Sequence, residues 1–183
     1  YQVIRNIAEA LPYVELEETR VQRKLPDTLL IEIKECGDPL AWAQDGTVWL
    51  VSPGGKIVEQ RNTVGDYPTI DGCRLLAPSV GTLIALDTEN DTRWQSLLEL
   101  LAALEAADKL GEVDAIHIGN AAYLTMDYMG RFSVELNYDA DFAYKLRTLD
   151  AILASGKIQE NMTGTFNMRG EDGKTNFIQN SVK

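Results

Sequence analysis

Apolar residues recur along this chain in two periods, and the switches between them outline its elements. At residues 1–11, Ile4, Ile7, Ala8 and Leu11 fall at i, i+3, i+4 and i+7, one apolar face of a helix that Pro12 stops. Residues 14–23 are extended, and Leu25-Pro26-Asp27 supplies turn formers. From Thr28 to Glu35 the pattern alternates: Leu29, Ile31 and Ile33 point one way, toward a core, and Leu30, Glu32 and Lys34 the other. A helix and a strand pair of this size are too small to stand alone. Gly37, Asp38 and Pro39 form a candidate hinge, since glycine frees the backbone and proline stops strand pairing. A hairpin follows, with Leu40, Trp42, Val48, Leu50 and Val51 as its apolar residues and Asp45-Gly46 as its turn. Ser52-Pro53-Gly54-Gly55 makes the next turn, and Lys56-Ile57-Val58 starts another strand.

Residues 61–88 hold Gly65, Pro68, Gly72, Pro78 and Gly81. They predict irregular structure crossing the sheet, pinned by Tyr67, Ile70 and Leu75. Asp91 or Thr92 caps a long helix whose buried stripe is Trp94, Leu97, Leu98, Leu101 and Leu104, with Gly111 as its stop. Strands are predicted over 113–118, 122–128 and 131–136, the last two joined at Met129-Gly130. A second helix runs from about Asp139 to Ala154, started by Asp139 or Asp141 and ended by Gly156. Its face is Phe142, Leu146, Leu149, Ile152 and Leu153. A strand around 158–169, a turn at 170–173 and a last short strand around 174–179 complete the chain. Hairpins dominate, so the class is α+β: a largely antiparallel sheet with helices on one face. Residues 1–37 and 38–183 are the expected domains.

The bulk properties exclude more than they assign. The 183 residues carry a net charge of −11, which argues against phosphate-backbone binding as the main task. No run of about 18 apolar residues is present to cross a membrane. The chain begins at Tyr1, inside the predicted helix, so a preceding portion is expected. Cys36 and Cys73 are too few for a disulfide framework or a zinc cluster, and are expected as unpaired, buried thiols.

No catalytic grammar emerges. His117, the single histidine, lies between Ile116 and Ile118 in a predicted strand and points away from their face. A Ser-His-Asp site would need it as base, but no nucleophile elbow accompanies it. The acidic run at 87–91 resembles a calcium loop, yet a loop from Asp87 would need Gly and Glu where Thr92 and Leu98 stand. Acids at a helix N-terminus explain it better, and explain Asp139 and Asp141 too. Gly54-Gly55-Lys56 lacks the rest of a phosphate loop. No pair of acids is singled out for hydrolysis, and no cofactor is implied. Trp42, Trp49 and Trp94 are expected in the core.

An ordered set of short segments then carries a resemblance. They are Leu11-Pro12-Tyr13-Val14, Pro26-Asp27-Thr28-Leu29, Pro39-Leu40-Ala41-Trp42, Trp49-Leu50-Val51, Gly55-Lys56-Ile57-Val58, Tyr67-Pro68-Thr69-Ile70-Asp71-Gly72, Phe132-Ser133-Val134-Glu135-Leu136 and Lys145-Leu146. Together they resemble the end of a POTRA domain joined to the β-domain of the FtsQ/DivIB cell-division family. The chain departs from the family's usual pattern at Cys36, Ser52 and Asn137.

The resemblance implies residues 1–37 as a POTRA end and 38–183 as the β-domain. It implies a non-enzymatic divisome scaffold, the extracytoplasmic part of a single-pass membrane protein whose anchor precedes Tyr1. The implied partners are FtsB/DivIC-like and FtsL-like proteins, with consequences for septal wall synthesis. It places partner addition on the last strand, at Lys174, Thr175, Asn176, Phe177, Ile178 and Gln179. On that expectation Phe177 or Ile178 anchors the partner, Lys174, Asn176 and Asn180 discourage non-specific pairing, and proline at Asn176 or Ile178 blocks binding. The alternatives are another POTRA-containing assembly or secretion factor, or a carboxylate-dependent wall hydrolase with two facing acids in a cleft.

Overall fold

The computed structural model describes residues 6, 10–87, 93–170 and 174–180. Most of the predicted first helix, the Asp91 or Thr92 cap, most of the 87–91 run and most of the 170–173 turn lie outside the described residues.

The chain is α+β, and its strands form two sheets. β1 (Val14–Lys24) and β2 (Thr28–Glu35) pair antiparallel as a two-stranded ribbon, with a register shift between Glu15 and Arg20. Leu29, Ile31 and Ile33 do share a face, as their alternation predicts, but that face is exposed rather than core. A two-stranded ribbon has no second layer of its own, and no described element covers this one.

The second sheet has nine strands in the order β11-β10-β9-β8-β7-β6-β3-β4-β5. β3 (Leu40–Gln44) and β4 (Thr47–Val51) form the predicted hairpin, with Asp45 and Gly46 both at positive φ in its turn. β5 (Ile57–Arg61) adds outside β4. β6 (Thr69–Asp71) corrects the sequence reading, which placed this stretch on the sheet surface. It enters the sheet between β3 and β7, parallel to both, with Ile70 buried. A three-residue strand among glycines and prolines has too little periodicity to read.

β7 (Val113–His117), β8 (Tyr123–Tyr128) and β9 (Phe132–Asn137) form an antiparallel meander. Helix α2 (Phe142–Ala154) then carries the chain to β10 (Gly164–Asn167), which runs parallel to β9. Residues 158–163, expected in this strand, are not part of it. β11 (Asn176–Gln179) returns antiparallel to β10.

Both helices pack on one face. Leu97, Leu100, Leu101 and Leu104 of α1 (Arg93–Ala106) and Phe142, Leu146 and Leu149 of α2 share a core with Trp42, Ile70, Ile116, Met126, Val134 and Phe166. Trp49 and Trp94 are partly buried against it. The predicted α1 stripe omitted Leu100, and α1 stops before Gly111. Asp108 takes the left-handed conformation at φ 56°. The Lys109 and Asp108 N–H groups bond the Leu104 and Glu105 carbonyls at 2.8 and 3.0 Å, a closing turn that asparagine, aspartate or glycine can make. Asp141 caps α2, its carboxylate accepting from Tyr144 N–H at 2.9 Å, and Gly156 follows the helix at φ 72°.

Candidate functional site

The last strand is an edge of the large sheet, the position the resemblance implies: among the described residues, β11 pairs with β10 alone. Its register is Gly164↔Gln179, Thr165↔Ile178, Phe166↔Phe177 and Asn167↔Asn176. In an antiparallel ladder the N–H and C=O of one residue point to the same neighbour, and those of the next point away. Asn180 N–H donates to Thr163 C=O at 2.9 Å, so Asn180, Ile178 and Asn176 address β10. Phe177 and Gln179 therefore turn their main-chain groups outward. The opposite side of β10 agrees: Gly164 N–H donates to the carbonyl of Arg131, just before β9, and Met168 N–H to that of Glu135 within it.

This parity corrects two expectations. Proline at Asn176 or Ile178 would cut the chain's own ladder to β10, so neither position tests partner binding cleanly. Nor is Phe177 a waiting anchor. Its ring packs on Phe166, with centroids 4.7 Å apart, and meets Phe132 edge-on at 6.2 Å. Ile178 projects from the opposite face and is 63% exposed. Lys174 and Asn176 are exposed and Thr175 is half-buried, flanking an uncharged edge.

The other edge of the sheet is closed differently. Ile57 N–H donates to Thr82 C=O at 2.8 Å, and Ile57 C=O accepts from Gly81 N–H at 2.7 Å. Ile84 N–H likewise bonds Gly55 C=O at 2.8 Å, and Lys56 bridges antiparallel to Leu83. The loop after β6 thus occupies the start of β5. Farther along, Glu59 and Arg61 form an ion pair at 2.8 Å, and charged side chains discourage strand addition.

Gly37, Asp38 and Pro39 form the irregular connection between the sheets. Both of its flanks are tied. Cys36 N–H bonds Tyr13 C=O at 2.7 Å, and Ala41 N–H bonds Pro68 C=O at 2.7 Å. The Cys36 thiol donates to Pro12 C=O at 3.9 Å, and Cys36 packs against a small second core of Ala41, Val48, Leu50 and Val58. Lys56, itself buried, places its ammonium 2.9 Å from the carbonyl of buried Val14. A Cβ at Gly37 would meet the flexible end of the Glu105 side chain of α1 and come 3.2 Å from Pro53, so the connection passes close against α1.

The residues weighed for chemistry fall elsewhere. His117 does point away from the core face, and its ring lies between two carboxylates. Nδ1 is 2.8 Å from Asp71 and Nε2 is 3.0 Å from Asp127, whose other oxygen accepts from Ser133 Oγ at 3.3 Å. Burial of the ring pulls its pKa down, but the bonds to Asp127 and Asp71 and their charges outweigh it and hold the pKa above the ordinary 6.5. Both cysteines are half-buried, and Cys73 Sγ lies 3.5 Å from Ile118 C=O. Among the described residues, no group of three or more His, Cys, Asp or Glu is placed to hold a metal. No described helix is long and apolar enough to cross a membrane.

A comparison with models of protein families finds none that matches the chain, and a comparison with curated proteins finds no match. The edge itself was implied by the resemblance. The residue that seats it was not: a Cβ on Gly164 would lie 2.8 Å from the Phe177 ring and collide with Ile178 C=O. A glycine inside the predicted strand at 158–169 was the available signal.

Proposed function

We propose that this chain is a non-enzymatic scaffold that captures a partner by adding the partner's strand to β11. The residue pattern that resembles FtsQ/DivIB makes it a divisome scaffold, the extracytoplasmic part of a membrane-anchored protein. Its partners are then FtsB/DivIC-like and FtsL-like division proteins, whose capture bears on septal peptidoglycan synthesis. The observation that carries this reading is the asymmetry of the two sheet edges. At β5 the outward groups of Ile57 are already bonded and charged residues follow. At β11 the outward groups of Phe177 and Gln179 sit on an uncharged strand beside an exposed isoleucine.

The energetics limit what such an edge does alone. Two outward residues offer about four main-chain bonds, worth roughly 0.5–1.5 kcal/mol each. Burying Ile178 adds about 2 kcal/mol. Micromolar affinity requires about 8 kcal/mol, and association carries its own entropic cost. The partner therefore also engages surface beside the strand.

Gln179→Pro tests the reading, because it removes an outward N–H and leaves those directed at β10 in place. Binding to the extracytoplasmic segment of the same organism's FtsB/DivIC-type protein, measured by calorimetry, is expected to be lost while the circular dichroism and melting curve stay as in the wild type. Undiminished binding overturns strand addition at β11.

A further inference from the structure

The nine-stranded sheet has a narrow waist. β6 is three residues long and is the element that joins β3-β4-β5 to β7–β11. It meets β3 at Ala41↔Thr69 and Trp42↔Ile70, and β7 at Thr69↔Ala115, Ile70↔Ile116 and Asp71↔His117. The backbone bonds that join it to its neighbours include Ala41 N–H to Pro68 C=O at 2.7 Å and Ile118 N–H to Asp71 C=O at 2.9 Å. On the face away from the helices, His117 spans three strands, reaching Asp71 of β6 on one side and Asp127 of β8 on the other.

A carboxylate only accepts hydrogen bonds, so both ring nitrogens must donate, and only the imidazolium has two N–H groups. We propose that His117 is a proton-operated clamp across this waist, closed as the imidazolium and opened by its deprotonation. The neutral ring keeps one N–H, loses either Asp71 or Asp127, and turns a lone pair toward the carboxylate it has lost. The other charged groups on this face do not replace it. Glu135 of β9, one strand beyond Thr125, is held by Arg169 at 3.1 Å, and Asp114 of β7 accepts from the Gly130 N–H.

The sign follows from the direction of the shift. A raised folded-state pKa gives stability that is fully present below the unfolded value near 6.5 and is lost as pH rises through the folded value. Loosening falls on the joint between the half that carries the ribbon and the half that carries the open edge.

Because His117 is the chain's one histidine, its Cε1–H resonance titrates unambiguously by NMR. The whole chain is expected to show a His117 pKa above 6.5, with Asp71→Asn and Asp127→Asn each lowering it. Across that transition, hydrogen-exchange protection of the Ala41 and Ile118 amides should fall about tenfold for each unit by which the pKa exceeds its ordinary value. Protection of the Met168 amide, on the β9–β10 ladder, should fall less. A His117 that titrates at or below 6.5, or waist amides whose protection ignores the transition, overturns the clamp. The wild-type titration decides this even if an asparagine variant fails to fold.

Discussion

The Phe177 ring lies over Gly164, with two of its carbons 2.8 Å from where a Cβ at 164 would stand. The glycine leaves the space in which the edge strand folds its aromatic side chain onto Phe166 and Phe132. The missing side chain thus fixes where β11 sits and which of its groups face outward.

Gly164→Ala should therefore displace β11. Forcing a methyl into a packed site costs about 1–3 kcal/mol. Part of that cost can be relieved by lifting Phe177, which frees the edge strand. The measurable outcome is a lower melting temperature with faster amide exchange at Ile178 and Asn180, while the β7–β8 amides keep their relative protection. An unchanged edge in this variant would contradict the seating role of Gly164.

Ile178 separates binding from folding. It is exposed on the face opposite Phe177, so Ile178→Ser should alter stability by no more than about 0.5 kcal/mol. Loss of its burial by a partner should weaken binding by up to about 2 kcal/mol, near thirtyfold. Denaturation and titration calorimetry on the same sample read both quantities. A large stability loss with unchanged affinity would assign Ile178 to the fold instead.

Lys56 tests the junction between the sheets. Lys56→Met keeps the stem in the core and removes the bond from the ammonium to Val14 C=O. The Val14 carbonyl is left short of a partner, at a cost of about 1–3 kcal/mol. Faster exchange of the Cys36 amide, which bonds Tyr13 C=O, should report the loosened ribbon base. Equal protection in wild type and variant would place the hold of the ribbon elsewhere.

Strong local signals made much of this architecture legible in the sequence. Asp45-Gly46 and Met129-Gly130 fixed two hairpins by turn chemistry, and the 3.6-residue period of α1 and α2 fixed the helix-covered face. β6 escaped because three residues carry no period, and its place between β3 and β7 is a long-range fact. Leu29, Ile31 and Ile33 were read as core because alternation tells which side chains share a face, not whether anything covers them. At the edge, the short last strand was readable and its edge position was implied by the resemblance, but the outward parity of Phe177 and Gln179 required the register against β10. Nothing in the spacing linked His117 to Asp71 and Asp127, which lie 46 and 10 residues away.

Residue-resolved amide exchange of β11, with and without the partner's extracytoplasmic segment, tests strand addition most directly. In the free protein the Ile178 and Asn180 amides should exchange slowly and those of Phe177 and Gln179 quickly. On binding, Phe177 and Gln179 should become protected as their N–H groups enter a new ladder. Bound protein in which Phe177 and Gln179 still exchange as fast as in the free chain would contradict strand addition at this edge.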